Sequence, residues 1–438
     1  MDSNANTNAD TKADLSADST TDIDVDMTSR RRVLAAASAL ALGWAATGGP
    51  SATATATAAA STPRMARMKL PAPTGPYGVG TVALRLVDRE RADPWVPGRR
   101  RELMVDVRYP ARSVAAHPRV PQMTKGEAAG FDRVNNFGDL PKGRIDWSAT
   151  QTFAHLGAPP DRRGPRPVVL YSPGVGDPRT LGTTLTDELA SHGYVVVAID
   201  HTYDASAVEF PGGRVETTLL PQEFERALKE GPEAVVALMK KTSAVRVADT
   251  RFVLDEVERA FAAGRLERAP VGMFGQSAGG FAALQTMHDD GRIAAAANLD
   301  GVIAYVSDDH DEGELSSVAR DGLDGPFLLM GMDGNDRTNV PSWRALWEHS
   351  DGWHRDLVLR GAQHATYTDA TSLIPQIARQ LGLPKETVTG LVGTVPAARA
   401  IAAQRAYVTA FFDRWLRGRA DGHFLDGPSS RYPEVRFV

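Results

Sequence analysis

The residues best suited to do chemistry lie in one short stretch. Gly275-Gln276-Ser277-Ala278-Gly279-Gly280 directly follows the apolar run Val271-Gly272-Met273-Phe274 and opens a segment of helical periodicity. A G-x-S-x-G motif has meaning in that strand, turn and helix setting, where small neighbours let the backbone turn sharply and hold Ser277 Oγ out at the strand end. A serine hydroxyl is a poor nucleophile at neutral pH. It needs a histidine to take its proton, and that histidine needs a carboxylate to fix its tautomer. Downstream of Ser277, His288 falls at the end of the following helix, His310 in an acidic loop, His349 at a helix end, His354 at the start of the last strand and His423 far along the chain. His364 lies five residues past Leu359, at the C-terminal end of that strand, and is the expected base. The acid is left open by spacing alone. Asp300 follows the run Ala294 to Leu299, and Asp333 and Asp336 follow Phe327 to Met330.

A tetrahedral oxyanion needs preorganised donors, and the N–H of the residue after the nucleophile is the usual first. Ala278 supplies it. The second is expected from the loop Ser172-Pro173-Gly174-Val175-Gly176, whose glycines permit close backbone approach, with Val175 N–H as the donor. His201 at a strand end at the rim of the site either touches substrate or hydrogen-bonds the loop, and Gln276 beside the serine is a candidate for substrate contact. The chain has no cysteine, so thiolate catalysis, disulfides and Cys-ligated metals are excluded. No metal or other cofactor is expected. Asp308-Asp309-His310-Asp311-Glu312 lacks fixed ligand spacing and reads as a solvated acidic loop. Trp343 and Trp347, four apart on a helix, read as core.

The elements that must position these groups read as a doubly wound α/β domain. Val79 to Leu86 and Leu103 to Tyr109 are strands joined by a turn containing Pro94, Pro97 and Gly98, which suggests an antiparallel start. Pro167 to Tyr171, Tyr194 to Ile199, Val271 to Phe274, Ala294 to Leu299 and Phe327 to Met330 are apolar without alternation, as expected of a parallel sheet covered on both faces. Leu181 to Ser191, Val245 to Ala262, Gly279 to Met287, Ser342 to Glu348 and Ala398 to Leu416 have helical periodicity between them. The expectation is one domain over residues 61–438, with a mostly parallel sheet of about eight strands and helices on both faces. Insertions are expected at about 112–165 and 201–243, the second carrying a hairpin around Pro211-Gly212-Gly213, and both near the strand ends where open α/β sheets bind ligands.

Residues 1–28 are Asp-, Asn-, Thr- and Ser-rich and too polar to order. Ser29-Arg30-Arg31-Arg32-Val33-Leu34 and the uncharged run to Ala46 form a basic region and a short apolar region, the pattern of a twin-arginine export signal. Ser51 to Ala58 offers small-residue cleavage sites, so residues 1–60 are expected to be a leader and the mature protein to be secreted and extracellular. Removing them takes away seven Asp and four Lys or Arg and leaves 47 acidic against 45 basic residues. A near-neutral chain with scattered Lys and Arg gives no electrostatic reason to bind nucleic acid.

Taken together these pieces resemble the plasma-type, or isoform II, platelet-activating-factor acetylhydrolase family of the α/β-hydrolases. The resemblance is carried by Leu103 to Ala111, the Pro-Gly-Val-Gly loop with Arg179-Thr180-Leu181, Leu189 to Tyr194, Asp200-His201, Arg251 to Asp255, Phe274 to Ser277, Leu299-Asp300-Gly301 and Gly361-x-x-His364. Pro173 stands where family members often have histidine, and the insertions match poorly. The resemblance implies an α/β-hydrolase fold, places the acid at Asp300 with Asp333 as the alternative, and supports Val175 and Ala278 as the oxyanion pair. It implies metal-independent hydrolysis of short or oxidised acyl esters of phospholipids, with a soluble-ester or polyester esterase as the alternative and a noncatalytic lipid- or wall-binding protein as a minor one. Thr371 to Leu383, interrupted by Pro375, is either a partly exposed amphipathic helix that touches a lipid interface transiently or ordinary core.

Overall fold

The computed structural model describes residues 65–138 and 140–438. The expected leader and export signal in residues 1–60 lie outside the described residues. Strands β1 (Gly78–Ala92) and β2 (Arg100–Ala111) come first, then β3 (Arg119–Pro121), helix α1 (Lys125–Val134) and β4 (Gln151–Leu156). β5 (Val168–Ser172) leads through α2 (Thr183–Ser191) to β6 (Val195–Asp200). A hairpin of β7 (Ala207–Phe210) and β8 (Arg214–Thr217) and helices α3 (Leu220–Glu230) and α4 (Pro232–Ala262) precede β9 (Val271–Gln276). Next are α5 (Ala278–Asp289), β10 (Ile293–Leu299), the short pair β11 (Ala304–Tyr305) and β12 (Glu314–Leu315), α6 (Ser317–Asp321), β13 (Phe327–Gly331), α7 (Pro341–His349) and β14 (His354–Leu359). Helices α8 (Ala370–Leu381), α9 (Lys385–Val392) and α10 (Ala397–Arg417) and strand β15 (Val435–Phe437) follow.

The main sheet has 11 strands in the order β15-β14-β13-β10-β9-β5-β6-β2-β1-β4-β3. β6, β5, β9, β10, β13 and β14 are parallel to their neighbours within this central block, and the β1–β2 hairpin joins β6 antiparallel. The sheet is wider than the eight strands read from the sequence. The difference is three short strands: β3 and β4, inside the segment read as an unpatterned insertion, and β15, which adds three residues antiparallel to β14. Three residues are too few to register as a pattern in β3 and β15, and the six of β4, Gln151-Thr152-Phe153-Ala154-His155-Leu156, lack the continuous apolar run that marks the central strands.

The central strands are apolar throughout because each side of the sheet is covered. Val169, Tyr171 and Phe274 pack on one face against Leu189 of α2 and Tyr407, Phe411 and Phe412 of α10. Val168, Leu170 and Met273 alternate onto the other face, against Phe252 and Leu254 of α4, Phe281 of α5 and Trp343 of α7. Each side chain of the size of Leu or Phe so buried contributes on the order of 2 kcal/mol. A third cluster joins Ala66, Met68 and Leu70 to Phe131 of α1, Trp147, and Leu373, Ile374 and Ile377 of α8. The helix weighed as a lipid-touching element therefore packs as core: its apolar stripe is covered, and Gln376 and Gln380 hydrogen-bond the backbone of Lys69 and Arg67 along its flank.

The chain runs from β5 to β6 on one side and then crosses back to β9 on the other, so β5 and β9 are adjacent and their loops diverge. A crevice at the carboxyl ends of such strands is where doubly wound sheets hold ligands. Both Ser277 and the Gly174-Val175 loop sit there. α4 begins at Pro232, 13 residues before the periodicity starts. Its first turns instead pack Val235 and Leu238 on Ala227 of α3 and on Phe224 and Trp95, a small local contact with no long apolar stripe.

Candidate active site

Ser277 caps α5 with φ 55° and ψ −126°, a conformation sparsely populated by residues other than glycine. The strain is fixed by close packing. A methyl group on Gly275 would lie 2.1 Å from the Gly279 carbonyl carbon, and one on Gly279 would lie 1.9 Å from the Ser172 carbonyl oxygen. The two glycines of the motif are thus required by contact between the turn, the helix start and β5. Ser277 N–H donates to Leu299 O at 2.9 Å, and Phe281 N–H donates to Ser277 O at 3.0 Å, which anchors the turn to β10 and α5.

Asp300 follows β10 immediately, buried and with φ 57°. Its Oδ2 lies 2.6 Å from His364 Nδ1, and its Oδ1 accepts from Met332 N–H at 2.9 Å and Asn335 Nδ2 at 3.1 Å. Asp333 takes a different place. Its carboxylate accepts from Gly361 N–H at 3.0 Å and so braces the loop that carries His364, away from the imidazole. Asp336 accepts from Thr338 and from Arg436 Nη2 at 2.7 Å, remote from the ring. Among the three carboxylates left open by spacing, Asp300 is the one that meets His364. Gln276 Nε2 reaches the His364 carbonyl at 3.4 Å, and a methyl group on Gly174 would sit 2.4 Å from Gln276 Oε1 and 3.4 Å from Ser277 Cβ. The glycine loop, the serine and the histidine loop therefore converge at one end of the sheet.

Half of the His364 side chain remains open to solvent. Its surroundings resist the charged ring, but the hydrogen bond and negative charge of Asp300, with Asp309 and Asp177 further out, outweigh this and raise its pKa to about 8. Both outlying carboxylates are held by asparagines: Asn135 Nδ2 donates to Asp177 Oδ1 and Asn335 Nδ2 to Asp309 Oδ2, each at 2.9 Å. Burial pushes Asp177 up to about 6, against the Asn135 hydrogen bond and the His364 charge, and burial also raises Asp309. Asn135 lies at the C-terminal end of α1, so the 112–165 segment does reach the rim of the site.

The two residues considered for substrate contact have other duties. His201 is buried, with Nε2 2.9 Å from Ser172 Oγ and Nδ1 3.0 Å from Asp249 Oδ2. Its position at a strand end suggested the rim, but its ring is held in the interior between Ser172 and Asp249 of α4. Gln276 is likewise buried, and its Nε2 donates to the His364 carbonyl at 3.4 Å. The acidic loop also departs from its solvated reading at one residue, since Asp309 turns inward to Asn335.

Sequence reasoning missed Asn335, Asp177, Asn135, Arg246, Asp204 and Asp249. Arg246 carried a signal: it interrupts the apolar stretch Ala244-Val245-Arg246-Val247-Ala248, where an unpaired charge would be costly. The arrangement can hold an imidazolium against a carboxylate at the end of the sheet where Ser277 sits.

Residues 65–211 match the family model described as platelet-activating factor acetylhydrolase, isoform II. A probable 1-alkyl-2-acetylglycerophosphocholine esterase of Arthroderma benhamiae is 30% identical over 395 residues, covering 84% of this chain and 93% of that protein. The platelet-activating factor acetylhydrolase of Cavia porcellus is 31% identical over 164 residues, 33% of this chain and 36% of that one. Among solved structures, a ferulic acid esterase from Streptomyces cinnamoneus superimposes with a TM-score of 0.67 at 36% identity, over 85% of this chain and 99% of its own.

Proposed function

Because the chain belongs to the platelet-activating factor acetylhydrolase isoform II family, we propose that it hydrolyses short or oxidised acyl esters of phospholipids through an acyl-enzyme on Ser277. It is a carboxylic ester hydrolase. The observation that carries the proposed roles is the 2.6 Å contact between His364 Nδ1 and Asp300 Oδ2 beside a serine held at positive φ.

In this reading His364 Nε2 takes the Ser277 Oγ proton as Oγ bonds to the ester carbonyl carbon. The carbonyl oxygen becomes the oxyanion and accepts from Val175 N–H and Ala278 N–H. Collapse breaks the ester C–O bond, and the leaving lysophospholipid alcohol takes the proton from the imidazolium. Water then repeats the sequence on the acyl-enzyme, giving the free acid and Ser277. Asp300 stays ionised and holds the ring.

A fluorophosphonate probe should label Ser277, and an acyl-length series on phosphatidylcholine analogues should fall steeply beyond short chains. Absence of labelling in folded protein would sink the nucleophile assignment, and indifference to chain length would sink the substrate. A second reading, a broader soluble-ester or polyester hydrolase, is favoured by the likeness to the ferulic acid esterase across 99% of that chain. Feruloyl and p-nitrophenyl esters and a polyester film, compared with phospholipid, separate the two. We further infer export by the twin-arginine route from Arg30-Arg31-Arg32 and the apolar run after them. Arg31→Lys/Arg32→Lys protein should stay inside the producing cell, and undiminished secretion would reject the route.

A further inference from the structure

Beneath the glycine loop lies an arginine that no step above uses. Arg246, on α4, is only 2% exposed, and each N–H of its guanidinium has an acceptor. Nε donates to Asp204 Oδ2 at 2.7 Å. Nη1 donates to the Pro173 carbonyl at 2.6 Å and reaches Ser172 Oγ at 3.4 Å, while Nη2 donates to the Gly174 carbonyl at 3.0 Å and to Asp204 Oδ1 at 2.7 Å. Asp204 Oδ1 also accepts from Gly176 N–H at 3.0 Å. The ion pair therefore grips the peptide groups on both sides of Val175.

The consequence follows from peptide geometry. In a planar trans peptide the C=O and N–H point in opposite directions. With the Gly174 carbonyl drawn down onto Arg246, the N–H of the same peptide unit, that of Val175, is turned up and away from the arginine. A methyl group on Gly174 would lie 3.4 Å from Ser277 Cβ, so this loop runs beside the serine. The turn is closed by Asp177 N–H to the Gly174 carbonyl at 3.2 Å and uses Gly176 at φ 75°. A loop so rich in glycine has other conformations open to it, and an oxyanion donor is effective only when its direction is set before the reaction.

We propose that Arg246, locked by Asp204, is a positioning residue that fixes Val175 N–H as an oxyanion donor by holding the Gly174 carbonyl on the opposite side of the loop. This rests on the serine esterase reading above. The guanidinium suits the task because its planar fork satisfies two carbonyls and a carboxylate at once, whereas an ammonium is a point donor.

The test compares wild type, Arg246→Ala and Arg246→Lys in kcat and KM on a short-chain p-nitrophenyl ester, and in inhibition by a trifluoromethyl ketone whose hemiketal oxyanion needs the same amides. Arg246→Ala should lower kcat about 100-fold with KM within about 3-fold, and should weaken the ketone by a similar factor. Millimolar guanidinium should restore part of the lost kcat. Arg246→Lys should fold even if the alanine variant does not, and should show the same selective loss at about 10-fold. Folded variants with kcat and ketone inhibition within about 3-fold of wild type would overturn the proposal, as would a loss of kcat that leaves ketone inhibition intact. Failure of the esterase reading is distinguishable, because then wild type itself would turn over no ester and Ser277 would not react with a fluorophosphonate.

Discussion

The molecule contains two Ser–His–Asp sets, and the proposed function makes only one of them reactive. In the first, Ser277 is strained and partly open, His364 is half exposed, and Asp300 is buried behind it. In the second, Ser172, His201 and Asp249 are connected by contacts of 2.9 and 3.0 Å and are all at most 1% exposed. The electrostatics also diverge. Burial, with the nearby Arg246 charge, lowers the pKa of His201 despite Asp249, while the carboxylates around His364 raise its pKa. Asp249 also accepts from Arg101 Nη2 at 2.6 Å and Nε at 3.0 Å, and from Arg91 Nη2. Residue types and hydrogen-bond order therefore do not define a nucleophile. Access, backbone strain and a histidine free to change charge do.

The largest expected effect separates the two serines. Ser277→Ala should reduce kcat by about ten-thousand- to a million-fold, since the nucleophile, its base and its acid act as a unit. Ser172→Ala should keep kcat within about tenfold and instead lower stability by about 1–3 kcal/mol, because it leaves His201 Nε2 without its hydroxyl partner in a dry site. Ester turnover and urea denaturation on both variants decide the matter. A collapse of turnover in a fully stable Ser172→Ala protein would break the comparison.

The carboxylates extend it. Asp300→Asn should cost about ten-thousand-fold in kcat with little change in unfolding midpoint, because the amide favours the wrong imidazole tautomer. Asp249→Asn should do the reverse: Arg101, at 0% exposure, would lose one of the two buried carboxylates that compensate it and keep only Asp93 at 3.1 Å, at a cost of about 3 kcal/mol measured by denaturation. Asp333→Asn, which touches only the Gly361 amide, should change kcat by less than about tenfold. An Asp333 variant as damaged as Asp300→Asn would reassign the acid.

The difference between the two sets also marks what could be read from the chain. Ser277 was legible because glycines on both sides have one physical purpose after an apolar strand, and His364 because a strand end placed it. Asp300 could not be separated from Asp333 by spacing, since both end neighbouring parallel strands; the resemblance and then the hydrogen bond separated them. The two readings of His201, substrate contact or a hydrogen bond to the loop, could not be separated because nothing local to Asp200-His201 tells that α4, more than forty residues on, packs Asp249 against it. The same long-range packing hid Asn135 and Asn335, polar loop residues with no period. For the fold, continuous apolar strands were visible, while the three-residue strands β3 and β15 and the mixed strand β4 were not, because the pairing of such segments is decided by their partners.

The smallest expected effect tests whether the charge on the histidine is what distinguishes the two sets. His364 must be neutral to accept the Ser277 proton, so raising its pKa to about 8 makes kcat/KM rise with pH through an inflection near 8 and fall tenfold per unit well below it. Asp309 lies beyond Asn335 and favours the imidazolium by its charge. Asp309→Asn removes that charge, lowers the pKa of His364, and should move the inflection to lower pH by less than about one unit, leaving the plateau rate at high pH within about twofold. His201 contributes nothing to this limb, because it is buried and reaches no substrate, so Ser172→Ala should leave the inflection where it is. A shift with Ser172→Ala and none with Asp309→Asn would mean that the buried histidine, and not the open one, governs the proton the reaction moves.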